Sequence, residues 1–389
     1  MDYRTELTPT AAADLATVYV ALELSQQSWL AAVREGAAGK TSLYKVKARD
    51  TASLLGVIDR AVERAREKGC GQVRAVSCYE AGRDGFWLHR LLLAHGVENQ
   101  VLDAASIAVP RQGRRAKTDR LDVHGLLRAL LALARGEAAC RMVRVPTPAE
   151  EDARRLGRER RRLVHERVGH VNRIKGLCAL VGIGDYEPAR ANRRQRLAAL
   201  QTAQGGELPV HLKREVERHL ARLELVLVQL KEVEAERDAI AARAPPADSG
   251  ASMIRALVRL KAVACETATT LVREVFYRPF DNRRQLGAYL GLDGSPWRSG
   301  GLAREQGISK AGNPRARAAA IELAWRWLRY QPDSALSRWF HRRVAGAKGA
   351  TKRKMIVALA RKLIVALWRY VRFGLVPEDA VFKPQLAQP

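Results

Sequence analysis

The chain has 389 residues, enough for two or three domains, and 47% of them are hydrophobic, which excludes wholesale disorder. Its formal net charge of +27 is segregated: residues 1–110 carry 13 basic and 13 acidic side chains, residues 111–250 carry 29 against 19, and residues 251–389 carry 26 against 9. A solubilising surface needs no such segregation, so the excess points to a polyphosphate partner, whose counterions are released on binding. Five scattered cysteines without a CxxC pair argue against a disulfide framework or a zinc knuckle and fit a reducing compartment. The N-terminus lacks a signal pattern and the apolar runs are short and broken by Arg or Lys. A soluble, cytoplasmic, nucleoid-associated chain without membrane contact is expected.

In chain order, residues 17–24, 28–33 and 43–48 read as three strands, and 51–68 has helical spacing. A strand at 72–79, a helix at 86–95 and a strand at 99–103 follow. The helical crossover makes at least one strand pair parallel, so a mixed sheet is predicted. After an Arg-rich loop at 110–117, Thr118 is placed to cap a helix reaching Arg135. Two long amphipathic helices are predicted at 150–181 and 213–242. They form either an internal hairpin or a coiled coil used in oligomerisation. Ala244-Pro245-Pro246 opens the clearest linker. The last third is mostly helical but contains GLDGSPWRSGGLAREQGISKAGNP, read as a long and therefore functional loop over 291–314. Trp325, Trp327, Trp339 and Trp368 are expected in the core.

Four carboxylates stand out. Glu23 is the one acid in an apolar strand pattern, and Glu80 ends a strand at a Gly-containing turn, where ligand-binding groups of α/β sheets gather. Asp119 and Asp122 share a face at the start of a helix. Singly, each reads as structural: a solvated strand residue, a turn residue and two acids complementing a helix N-terminus. Together they offer hard oxygen ligands suited to Mg²⁺, and phosphodiester cleavage is well served by such ions. Their order along the elements is similar to that of RNase H and RuvC-like nucleases.

The stretches SCYEAGRDGFWLHRLLLAHG, RRAKTDRLD and GLDGSPWRSGGLAREQGISKAGNPRARAAAIELAW resemble, over nearly the whole chain, the DEDD-type insertion-sequence transposases whose members use a bridge RNA. The resemblance implies an α/β plus α fold: a RuvC-like domain at 1–146, a coiled-coil segment at 147–243 and a C-terminal transposase domain at 251–389. It implies Mg²⁺ ligands at Glu23, Glu80, Asp119 and Asp122, and a nucleophile at Ser299, directly before Gly300 and Gly301. The implied partners are donor and target DNA, a structured guide RNA and further copies of the chain, from dimer to tetramer. Two positions depart from the pattern. Glu23 stands where Asp is usual, and LKAVACETA at 260–268 has Ala262-Val263-Ala264 where a helix-hairpin-helix turn carries glycines. Without them a positive φ and DNA contact by that hairpin are not expected.

Serine is a weak nucleophile without a base or a metal, and no histidine is close to Ser299 in sequence. Activation by the metal-bound carboxylate site, in cis or between subunits, is expected instead. Lys310, Asn313, Arg315 and Arg317 after the serine, and Arg111, Arg114, Arg115 and Lys117 before Asp119, are candidate phosphate contacts; solvated charge is the alternative. A RuvC-like nuclease with a merely DNA-binding C-terminal domain, and a silent nucleic-acid-binding relic, are the competing functions.

Overall fold

Alternation in the first third produces a five-stranded mixed sheet in the order β3-β2-β1-β4-β5. Strands β1 (Leu15–Leu24), β2 (Ser28–Glu35) and β3 (Thr41–Lys47) form an antiparallel meander. Helix α1 (Thr51–Glu67) crosses over to β4 (Gln72–Glu80), which pairs parallel to β1. Helix α2 (Trp87–Ala94) then leads to β5 (Glu98–Leu102), parallel to β4. The computed structural model describes residues 15–68, 72–107, 118–243, 245, 248–299, 302–346 and 349–384, in two compact units, Met1–Thr147 and Pro148–Pro389.

Strand β1 is buried on both faces, which is why it reads as a nearly unbroken apolar run. Val18, Val20 and Leu22 pack with Leu54 and Ile58 of α1 and Leu88 and Leu92 of α2. Tyr19 and Ala21 on the opposite face pack with Val123, Leu126, Leu127 and Leu130 of α3 (Asp119–Ala134). The Thr118 side chain accepts a hydrogen bond from Leu121 N at 3.3 Å and so caps α3.

The second unit begins with α4 (Pro148–Asp152), α5 (Arg155–Ala179), α6 (Arg193–Ala198) and α7 (Val210–Arg243). Arg173 pairs with Glu215, His170 with His219 and Arg160 with Glu234, so partners descend one helix as they ascend the other. Helices α5 and α7 are therefore antiparallel, with Ile174, Leu177, Val216, Leu220 and Leu223 in their seam.

Beyond them lie α8 (Ser249–Arg259), α9 (Cys265–Leu271), a π-helical turn at Val272–Phe276 and α10 (Arg283–Leu290). Strands β6 (Gly294–Ser299) and β7 (Leu302–Ile308) follow, then α11 (Pro314–Tyr330), α12 (Ala335–Val344) and α13 (Gly349–Phe373). Trp327 is fully buried at the centre of this helical core and Trp368 nearly so, but Trp325 is 45% exposed, against the expectation of a core position. Trp325 is two residues from Trp327 on α11, a spacing that turns them to different faces. Among the described residues no helix is long and apolar enough to cross a membrane.

Two further expectations are corrected. The segment at 291–314 is not a simple loop: β6 and β7 pair antiparallel, with Ser299 opposite Leu302. Gly300 and Gly301, between them, lie outside the described residues. In the α8–α9 turn, Ala262 adopts φ +75° without a glycine. The turn is held by Val263 N donating to Leu260 O at 3.3 Å and Lys261 N donating to Val381 O at 3.0 Å. Gln331, buried, adds donors to the Lys261 and Val381 carbonyls. Such a backbone costs an L-residue roughly 1–2 kcal/mol, partly offset in glycine by its greater unfolded freedom. Ala262→Gly is therefore expected to stabilise the chain by about 0.5–1 kcal/mol, read as a rise in Tm of about 1–3 °C; an unchanged or lower Tm contradicts this.

Candidate functional site

Parallel pairing of β1 with β4 runs to Leu22 opposite Tyr79, so Glu23 and Glu80 are the next residues at the carboxyl ends of neighbouring strands. Both follow small buried residues of one face, Ala21 and Cys78, and two-residue periodicity puts the carboxylates on that same face. They line one cavity of about 350 Å³ with Ser25, Tyr79, Arg83 and Asp84. Sequence reasoning passed over Asp84, whose one signal was its place in the Gly-containing turn after Glu80.

Helix α3 covers the same face. The Cys78 thiol donates to Leu126 O at 3.6 Å, and Arg135 at the helix end lies within electrostatic reach of Tyr19 near the start of β1. Helix and strand thus run in opposite directions. From the Cys78–Leu126 contact, Asp122 is one turn toward the helix start, about 6 Å by helix rise. Glu80 is two residues toward the strand end, about 6.6 Å by strand rise. Asp122 therefore comes level with Glu80, and Asp119, on the stripe of Asp122 and Leu126, lies one turn beyond.

The four acids are thus aligned on one face. Among the described residues, however, no three His, Cys, Asp or Glu side chains gather closely enough to hold a metal ion. Arg111, Arg114, Arg115 and Lys117, just before α3, lie outside the described residues. The donor chemistry fits Mg²⁺, which takes oxygen ligands and is usually held by one or two carboxylates, water and substrate phosphate; Glu23 and Glu80 supply such a pair. Burial pushes the Cys78 thiol far above its usual range, so this neighbour of the site is neutral packing.

In the second unit Ser299 ends β6; its side chain lies outside the described atoms. What anchors its hairpin is described. Ser309 N donates to Asp293 O at 2.8 Å, Lys310 N to Gly291 O at 3.2 Å and Asn313 N to Tyr289 O at 2.9 Å. Gly312 has φ +85° and a Cβ there would lie 2.1 Å from Tyr289 O, so the approach requires glycine. Asn313 Oδ1 accepts from Arg315 N at 3.0 Å and Ala316 N at 3.2 Å, capping α11, with Pro314 in its first turn. Arg317 Nη1 donates to Leu290 O and Lys310 O, each at 3.0 Å. Asn313 and Arg317 therefore spend donors inside the protein, while Lys310 and Arg315 are exposed.

These contacts converge on Glu274, an acid of the π-helical turn that sequence reasoning missed. Its side chain is 7% exposed. Its oxygens accept from Arg158 Nε at 2.9 Å and Nη2 at 3.2 Å, and from Asn313 Nδ2 at 3.0 Å, while its carbonyl accepts from the Tyr289 hydroxyl at 2.9 Å. Burial alone would raise the carboxyl's pKa, but the Arg158 hydrogen bonds and charge, with Asn313 and Arg154, outweigh it and hold the group below the ordinary range.

The profile of the Transposase IS116/IS110/IS902 family matches residues 254–338. Over 378 residues, 95% of this chain and 96% of the relative, the chain is 49% identical to the "Putative transposase y4rJ" of Sinorhizobium fredii (strain NBRC 101917 / NGR234). It is 29% identical to the "Putative transposase y4qE" of the same strain over 325 residues, 83% of this chain and 74% of that one.

Glu274→Gln is expected to destabilise the second unit by roughly 2–3 kcal/mol, since hydrogen bonds to a charged group are lost at a buried site. The folded-state pKa of Glu274 is depressed, so its contribution is present above the ordinary glutamate value of about 4.3 and is lost as pH falls through the folded value. Denaturant titrations from pH 7 to pH 3 check this. The variant should lose less stability than the parent on acidification; parallel curves contradict it.

Proposed function

Because the chain belongs to the IS116/IS110/IS902 transposase family, we propose that it cuts and rejoins DNA at the ends of an insertion sequence, using Ser299 as nucleophile and the four carboxylates as a RuvC-like site. The observation that carries this is the placement of Glu23 and Glu80 in one cavity at the ends of parallel strands, with Asp119 and Asp122 on the same face. Strand ends of this kind are where α/β sheets bind ligands.

Each residue has a role in this reading. Glu23 and Glu80 would hold Mg²⁺, with Asp119 and Asp122 as the further carboxylates offered to it. When bound, the ion would supply Lewis-acid stabilisation of charge on phosphate oxygens. Ser299 Oγ attacks a backbone phosphorus: an Oγ–P bond forms, a P–O bond to one sugar breaks, and the serine proton is transferred so that the departing sugar oxygen leaves as a hydroxyl. The DNA end is retained as a phosphoserine ester, and attack by a second sugar hydroxyl reverses the step and rejoins the strand. A structured RNA guides the choice of donor and target DNA, and two to four copies of the chain act together. The basic excess after residue 110 supports a polyanionic partner. Lys310 and Arg315, exposed beside the hairpin, are the charges offered to DNA there.

Ser299→Ala should abolish the protein–DNA adduct seen on denaturing gels while leaving DNA binding within twofold. Strand cleavage that persists without an adduct contradicts the serine step and favours a nuclease in which the second unit only binds DNA. Glu80→Gln should lower Mg²⁺-dependent cleavage by about 10²–10³-fold, the scale seen when a group stabilising transition-state charge is removed. Unchanged cleavage contradicts the carboxylate assignment.

A further inference from the structure

Within the second unit, the start of α5 faces α9, the π-helical turn and α11 across a groove of about 540 Å³. Seven arginines and three glutamates line it. Most basic side chains on this molecule are solvated, but Arg154 is not. It is 8% exposed and lies on the groove wall. Its guanidinium stacks 4.2 Å from the centre of the Tyr277 ring, and its Nε donates to Arg273 O at 3.1 Å. Its Nη2 is buried and has no hydrogen-bond partner among the described residues. A buried, charged donor left unpaired is costly, and native structures leave few such donors without reason. Two of the groove's three glutamates are already engaged: Glu274 by Arg158 and Asn313, and Glu266 by Arg237 at 2.7 Å.

The groove continues into a more open one of about 980 Å³ that shares Arg158, Arg161, His165 and Arg315 and reaches Pro314 at the start of α11. Arg161 and Arg315 are exposed, and among the described residues no side-chain ion pair holds either. A fixed guanidinium on the floor and unpaired ones at the rim suit phosphate, which arginine binds through its forked donors.

We propose that this groove receives the phosphodiester backbone of a single nucleic-acid strand, with Arg154 Nη2 as the donor on its floor and Arg161 and Arg315 as the charges at its rim. A donor closed to water in the free chain is reached when a phosphate enters between the walls and parts the side chains over it. A single strand can bend to do so, whereas duplex DNA is a stiff rod whose phosphates stay at the rim. This rests on the nucleic-acid reading above and adds to it a strand-specific site in the second unit, built from residues other than Ser299.

The test uses the full chain and labelled single-stranded DNA, single-stranded RNA and duplex DNA of equal length, with fluorescence anisotropy over a salt series. Arg154→Met, which keeps a stem to pack on Tyr277, should weaken single-strand binding about tenfold, and Arg161→Gln at least threefold. Each should reduce the slope of log K against log salt by about 0.7, the contribution of one single-strand phosphate. Arg218→Gln, which removes an exposed charge from α7, should change binding less than twofold, and duplex affinity should move less than single-strand affinity. The nucleic acid with the larger response, DNA or RNA, identifies the strand. If Arg154→Met loses its thermal transition, Arg161→Gln decides alone.

Groove variants no weaker than Arg218→Gln, or equal losses on single strand and duplex, overturn the proposal. In that case a wild-type chain that still binds and cleaves DNA leaves the transposase reading standing. A wild-type chain that binds no nucleic acid at all brings down both.

Discussion

Parallel pairing between β1 and β4 is the constraint on which the first unit's chemistry depends. The register that sets Leu22 beside Tyr79 also brings Glu23 and Glu80 to the same sheet edge. Because side chains alternate, a slip of one residue would send one of the two carboxylates to the opposite face, among the apolar side chains of α1 and α2. The register is strongly specified, since β1 is buried on both sides and neither face tolerates the other's residues. Helix α3 adds the second constraint. Its antiparallel course over β1 and β4 directs its N-terminus, with Asp119 and Asp122, toward the strand ends. The helix N-terminus also favours negative charge there, so the same acids complement the helix dipole.

The second unit is organised around a buried charge. Glu274 draws Arg158 from α5, Asn313 from the start of α11 and the Tyr289 hydroxyl from α10 onto one turn of helix. A five-residue π-helical turn carries this acid, in keeping with the tendency of such turns to occur at functional places. Through Asn313 and the close approach of Gly312 to Tyr289, the node fixes where β7 rejoins the helical core, and with it the hairpin that ends in Ser299 on one arm. The sequence run SKAGN is thus an assembly of a positive-φ residue at Lys310, an obligatory glycine and a capping asparagine. The arginine that pairs with Glu274 lies one helical turn from Arg154, so the node and the basic groove share a wall.

The strands and the mixed character of the sheet were legible because the strands are apolar and separated by clear turns, and α3 because Thr118 announces its start; the strand order was not. The hairpin at 294–308 was harder to see. Its strands carry Pro296, Arg298, Arg304 and Glu305, residues of weak strand preference, and the Gly300-Gly301 pair between them was the one local hairpin signal. Ala262 was misread because propensity alone forbids what tertiary hydrogen bonds from Gln331 and Val381 enforce. Glu274 and Arg154 were invisible for a different reason. Each looks like an ordinary helical charge until a residue at least 116 positions away in sequence, Arg158 for Glu274 and Arg273 for Arg154, closes on it. Of the candidate site, the sequence yielded the four carboxylates as a set; that Glu23 and Glu80 share a cavity is a property of strand pairing.

The central claim is that the four carboxylates serve one metal site when DNA is bound. Hydroxyl radicals generated by Fe²⁺ bound in place of Mg²⁺ cut a polypeptide beside the ion. The protein–DNA complex, treated with ascorbate and peroxide, should be cut near residues 23, 80 and 119–122 together, with all three cuts suppressed by excess Mg²⁺. Cuts at 23 and 80 without any at the start of α3, or cuts that Mg²⁺ does not suppress, would contradict a shared site.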